Sequence, residues 1–239
     1  MDGAAATVSV RHRGGEVVED RAWAEVSVGL LKTAVPWRTF RWYKGQRHYS
    51  GVYWSATMQD HVIYESRLEL ARLLFADFDP SVQRITAQPF LLKAQVEGQL
   101  RRHVPDYLLV TGQGPMVVDV KPLSRLSRPE VAFTFDWTRW AVESQGWQYE
   151  VWSEPPTPKL ENIRFLAGYR RDWLFSSDLL DELREAELDG VSIGQAESLL
   201  PCHPAPQVRS AIHHLLWTHD LVTDLDQPLV PSQTLRRGA

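Results

Sequence analysis

Cysteine is almost missing. Cys202 stands alone in 239 residues, which excludes an internal disulfide and leaves a cysteine-rich zinc site without ligands. Long apolar runs are missing too: no stretch of about 18 apolar residues occurs, as a membrane-spanning helix would need. The N-terminal MDGAAATVSVRHRGG carries no apolar secretory core. A soluble, cytoplasmic protein with no membrane partner is therefore expected. Excess positive charge is also lacking, since 26 Lys and Arg face 30 Asp and Glu for a net charge of −4. Proteins that coat nucleic acid are usually basic overall, so that class is disfavoured while a local basic face is not. Lysine is scarce, limited to Lys32, Lys44, Lys93, Lys121 and Lys159. Arginine forks supply the remaining cations and suit phosphate or carboxylate oxygens, although genome composition alone produces the same bias.

What is present is ordinary globular composition. With 44% apolar and 23% charged residues the chain can bury a core, over one domain or two. Its charge is uneven. Residues 1–175 hold 22 basic and 20 acidic side chains, and residues 176–239 hold 4 and 10. Three regions follow. Residues 1–35 are Gly/Ala-rich and weakly periodic, which predicts a peripheral or partly disordered segment. Residues 36–175 form the main domain, opening on the aromatic-basic PWRTFRWYKGQRHYSGVYW, where Lys44-Gly45-Gln46 suggests a turn between two strands. Residues 176–239 form an acidic C-terminal module.

Within the main domain, Tyr64, Leu68, Ala71 and Phe75 recur at helical spacing until Asp79-Pro80. FLLKAQV reads as a strand and Glu97-Gly98 as a turn. LRRHVPDYLLVT reads as a strand interrupted at Pro105, and MVVDVK as a third strand after Gly112-Gln113-Gly114-Pro115. Pro129 opens a helix that runs to Gly146, and WQYEVW is again a strand. The expected class is α/β, in the order αβββαβ, with the first three strands an antiparallel meander. LENIRFLAGYRRDWLF reads as helical, and the C-terminal module as three helices followed by a hairpin over VTDLDQPLVP, with Ser192 an N-cap. That order is all-α or winged-helix-like, and its few basic residues favour protein contact over DNA.

Three acids and a lysine carry the chemistry. Asp119 and Lys121 alternate with Val118 and Val120, so both point to one face of their strand. An antiparallel turn can bring Asp106, just after Pro105, beside Asp119. Glu69 lies one helical turn beyond Glu65. Such carboxylates suit a hard cation such as Mg²⁺, which activates water and neutralises charge developing on phosphate. Lys121 could orient that water or stabilise the transition state.

Pro105-Asp106 followed by Asp119-Val120-Lys121 resembles the PD-(D/E)xK nuclease signature. With SRLELARLLFADFDPSVQRITAQPFLL, HVPDYLLV, VVDVKP and PWRTFRWYKGQRHYSG, the chain resembles the TnsA-type endonuclease subunit of heteromeric DNA transposases over residues 36–154. The resemblance implies a restriction-endonuclease-like core in which Glu69, in Ser66-Arg67-Leu68-Glu69, is the first acid, Asp106 the second and Asp119 the third, with Lys121 the lysine. Asp119 stands where the family commonly has Glu or Gln. Gln88, in Ala87-Gln88-Pro89, matches a recurrent Gln-Pro and takes a supporting role. The resemblance further implies Mg²⁺ dependence with Mn²⁺ substituting, cleavage of one strand on the 5′ side of transposon ends, an integrase-like transposase partner and an AAA+ ATPase regulator.

Plainer readings stand beside these. Glu69 could pair with Arg72 on a solvated helix face, and Glu65 is structural or supporting. Arg38, Arg41, Lys44 and Arg47 either meet DNA phosphates or form the wet side of an aromatic hairpin. His103, His213 and His214 have no ligand partner at metal spacing. Cys202 reads as a buried or incidental thiol, and Trp137, Trp140 and Trp147 as core. The rival functions are a catalytically silent DNA-binding or assembly subunit and a stand-alone repair or junction nuclease of the same fold.

Overall fold

A computed structural model describes residues 6–38 and 49–238. The chain divides into two compact units, one of Met1–Ala76 with Ser81–Glu154, the other of Asp77–Pro80 with Pro155–Ala239. The boundary therefore falls near residue 154 rather than the expected 175. The reason is local: the helix over Thr157–Leu166 buries Asn162, Ile163 and Leu166 within the second unit.

The first unit is mixed α/β. Its strands are β1 (Thr7–Arg11), β2 (Val17–Ala22), β3 (Gly51–Ser55), β4 (Asp60–Tyr64), β5 (Val82–Ala87), β6 (Leu91–Val96), β7 (Gln99–His103), β8 (Tyr107–Thr111), β9 (Gly114–Val120) and β10 (Gln148–Trp152). Its helices are α1 (Val28–Leu31), α2 (Arg67–Phe78), α3 (Leu123–Leu126) and α4 (Pro129–Glu143). One antiparallel sheet has the order β2-β1-β6-β7. The other has the order β10-β9-β8-β5, with only β10 parallel to its neighbour.

The expected meander is thus split. The predicted FLLKAQV strand is β6, but it pairs with β1 and β7 in the other sheet. Its place beside β8 is taken by VQRITA, which is β5. Two physical devices separate the hairpin from the meander. Glu97 and Gly98 both have positive φ, 52° and 72°, as the tightest two-residue hairpin turns require. Pro105 then has no N–H to continue a ladder, so the chain leaves β7 and enters β8 in the second sheet. Around the second sheet the succession is α2-β5-β8-β9-α4-β10, with β6 and β7 inserted after β5 and α3 before α4.

Residues 6–35 are not peripheral, which corrects the expectation for that part of the N-terminal segment. Val8 and Val10 of β1 are fully buried and share a core with Trp23, Val26, Leu31, Phe90, Leu92 and the α4 residues Phe135 and Trp137. Trp23 Nε1 donates to the Ala141 carbonyl at 2.7 Å. Strand β1 adds to β6, so two alternating valines suffice to fill the sheet face. The turn expected at Lys44-Gly45-Gln46 lies outside the described residues. The strand that follows it, β3, pairs downstream with β4, which takes His61–Tyr64 out of the expected helix.

In the second unit α5 (Thr157–Leu166) and two single 3₁₀ turns replace the longer predicted helix. Three helices follow: α6 (Ser177–Glu185), α7 (Ile193–Ala196) and α8 (Ala205–Trp217). Ser192 caps α7 in a capping box with Gln195. The last pair is not a local hairpin within VTDLDQPLVP. Strand β11 (Leu221–Val222) pairs with β12 (Arg236–Arg237), and Ser192 bridges Thr234, so the segment between α6 and α7 joins the same ladder. Asn162 holds the intervening loop by donating to the Leu225 and Gln227 carbonyls and accepting from Leu229 N–H. Cys202 is exposed rather than buried.

Candidate functional site

The expected acids converge in the first unit. Strands β8 and β9 pair with Tyr107 opposite Val118, so extending that register by one residue sets Asp106 across from Asp119. Opposed residues on antiparallel strands face the same side. The Asp106 carboxylate accepts from the Val120 N–H at 2.7 Å. Burial, then Asp119, then Glu69 push the Asp106 carboxyl well above its ordinary range, while Val120 N–H and Lys121 pull it down. Three acids and the lysine thus feel one another across one poorly solvated place.

Glu69 enters from the first turn of α2. Its carboxylate accepts from the Glu65 N–H at 2.7 Å and the Ser66 hydroxyl at 2.8 Å, while Ser66 Oγ accepts from the Glu69 N–H at 3.1 Å. This reciprocal arrangement caps the helix. Burial raises the Glu69 carboxyl, with these hydrogen bonds opposing. The plain pairing with Arg72 is absent: Arg72, 8% exposed, places Nε and Nη2 on Glu150 at 3.1 and 2.7 Å. That ion pair fastens α2 to β10.

Asp119 is only 2% exposed. Tyr149 donates its hydroxyl to Oδ2 at 2.5 Å, and His103 Nε2 lies 2.8 and 2.9 Å from the two carboxylate oxygens. Tyr149 sits on β10, whose parallel register places Val151 beside Asp119. Its phenol is pushed far above the ordinary value, chiefly by burial and then by Asp119, so it stays protonated and donating. His103 and Tyr149 were missed in the sequence. His103 has no partner nearby in sequence, and Tyr149 reaches Asp119 only because β10 docks on β9. The one available signal was His103 lying three residues before Asp106.

Lys121 follows β9. Its N–H donates to the Trp152 carbonyl at 2.9 Å, and Nζ lies 6.0 Å from the centre of the Phe135 ring. Glu65 and Gln88 meet through a hydrogen bond from Gln88 Nε2 to Glu65 Oε1. Gln88, 6% exposed with φ of +45°, ties several segments together. Its N–H donates to the Asp106 carbonyl at 2.8 Å, its carbonyl accepts from Trp37 at 3.1 Å, and Oε1 accepts from the Arg38 N–H at 3.0 Å. Gln88 thus meets the Asp106 backbone directly, and Glu65 reaches it only through Gln88. The Arg38 side chain is exposed, whereas Arg41, Lys44 and Arg47 lie outside the described residues.

An all-oxygen set of Glu69, Asp106 and Asp119 has the chemistry a hard cation prefers. Among the described residues, no group of three or more His, Cys, Asp or Glu side chains is placed to hold a metal ion. Glu69 is turned onto Ser66, and Asp119 onto His103 and Tyr149. No helix among the described residues is long and apolar enough to cross a membrane. Compared with protein-family models and with curated proteins, the chain matches none.

Proposed function

We propose that the chain is a Mg²⁺-dependent DNA endonuclease with a restriction-endonuclease-like core, the TnsA-type subunit of a heteromeric transposase. The observation that carries this reading is the meeting of Asp106 and Asp119 across adjacent strands, with Glu69 and Lys121 electrostatically coupled to them. Glu69, Asp106 and Asp119 would hold the ion. A bound Mg²⁺ activates water and neutralises charge on the scissile phosphate. Lys121 places a positive charge where the attacked phosphate gains negative charge. Tyr149 and His103 hold the Asp119 carboxylate in one orientation. The α2-β5-β8-β9-α4-β10 succession around the second sheet supports the core assignment, and α6, the Ser192 bridge, α7, α8, β11 and β12 in turn support a winged-helix-like module. By the same resemblance, an integrase-like transposase and an AAA+ ATPase are the partners and transposon ends the substrate, cut on the 5′ side.

The test is nicking of a matching transposon end by purified protein with its transposase partner and Mg²⁺. Asp106→Ala should remove nicking and leave complex assembly intact; undiminished cleavage by that variant would end the assignment. A second reading, a silent assembly subunit, draws on the internal donors that already occupy Glu69 and Asp119. Calorimetric titration with Mn²⁺ separates the two, since a silent subunit gives no binding heat that depends on Asp106.

A further inference from the structure

Beside the acidic centre the charge changes sign. Residues 121–129, KPLSRLSRP, and residues 99–105, QLRRHVP, hold Lys121, Arg125, Arg128, Arg101 and Arg102 and not one Asp or Glu. The fold brings these two segments together around the first half of α4. The Arg101 guanidinium lies 5.0 Å from the centre of the Phe133 ring, and its Nε is buried without a hydrogen-bond partner. His103, two residues on along the same strand face, and Lys121, at the start of the other segment, both face Phe135. Leu100, Arg101 and Arg102 line a groove with Glu130, Phe133 and Thr134, and Arg128 directly precedes α4.

Neutralisation is sparse here. Arg125 and Arg128 are exposed, and neither side chain has an acidic partner among the described residues. The nearby acids are Glu130 in the groove and Glu154, which accepts from the Leu123 N–H. Arg102 lies on the opposite strand face, near Asp20 and Lys93. Among the exposed arginines elsewhere, Arg139, Arg164, Arg184 and Arg209 pair with carboxylates. Guanidinium groups without carboxylate partners have phosphate oxygens as a natural complement.

We propose that Arg101, Arg125 and Arg128, arrayed around the first half of α4 next to Lys121, form a face that holds the sugar-phosphate backbone of DNA. That DNA is the polyanion rests on the nuclease reading of the adjacent carboxylates. The face lets a net-acidic chain bind a polyanion, since the attraction is set by the local charge. It also delivers the strand to Lys121, where the basic segment meets the acids.

The test is equilibrium DNA binding by the full chain in EDTA, followed by fluorescence anisotropy of a labelled duplex between about 50 and about 200 mM salt. Arg125→Gln combined with Arg128→Gln should weaken binding roughly 10-fold at the low-salt end and make the salt slope shallower by about 2. Arg164→Gln in the second unit should change neither. Unchanged affinity and slope in the double variant, or no binding by the parent chain, overturns the proposal. So does a result in which only affinity for poly-glutamate falls, because the face then serves an acidic protein segment. The two readings fail separately. If the parent neither nicks nor binds Mn²⁺ while the double variant loses DNA affinity, the face stands and the nuclease does not; the reverse outcome spares the nuclease.

Discussion

In the first unit, Glu69, Asp106 and Asp119 are drawn together where burial and mutual repulsion lift the Asp106 carboxyl well above its usual range. In the second unit two buried histidines sit among aromatic rings. His213 lies between Phe165 and Tyr169, with ring centres 4.9 and 4.8 Å away, and burial lowers its pKa to about 4. His214 donates Nδ1–H to the Tyr169 carbonyl at 2.7 Å and stacks on Phe175. A neutral imidazole between aromatic rings is a packing solution. At Asp106, by contrast, burial and two neighbouring acids work against the charged form, opposed by the Val120 N–H and Lys121.

The largest effect that could break this contrast is in Asp106→Asn. Nicking should fall by at least about 10³-fold, while the melting temperature at neutral pH rises. The sign follows from linkage. An acid whose folded pKa is raised loses stability as pH climbs from the ordinary carboxylate range through the folded value, so removing it helps most above that window. A melting temperature that falls at neutral pH would mean that the acids are not in conflict. Next in size is Trp23→Ala, expected to cost about 3–5 kcal/mol by urea denaturation because a buried indole and its hydrogen bond are lost. A negligible loss would return residues 1–35 to the periphery.

Tyr149→Phe keeps the ring and removes the hydroxyl on Asp119. Metal affinity by Mn²⁺ titration should drop about 10- to 100-fold with the melting temperature little changed. The smallest expected effect is His213→Gln. With a folded pKa of about 4 against an ordinary 6.5, the unfolded chain binds the extra proton between those values, so stability is lost as pH falls through that window. The variant should flatten that slope in thermal melts of the full chain between those pH values, and an unaltered slope would remove His213 from the account.

Much of the second sheet was legible because its strands are short apolar runs bounded by Gly and Pro. MVVDVK, YLLVT and WQYEVW all appear as β9, β8 and β10. The choice of β5 over β6 was not legible, since VQRITA and FLLKAQV are equally good strands and the distant β1 pairs with β6 in the other sheet. Local patterns also hid β1, whose two valines become core only beside a distant partner. At the site, the spacing of Asp106 and Asp119 carried the antiparallel register. The donors on Asp119 come from His103 and Tyr149, which only tertiary structure brings near it. The helix cap at Glu69 was written in Ser66-Arg67-Leu68-Glu69, a pattern that serves capping and the expected first acid equally well.

Strand β10 is the last strand of the first unit to leave the ribosome, and it carries both Tyr149, which holds Asp119, and Glu150, which anchors α2 through Arg72. A nascent chain arrested before that strand has every one of the three acids and Lys121 but neither fastening. Two of the fastenings of this region are therefore made last in synthesis, after the residues they hold.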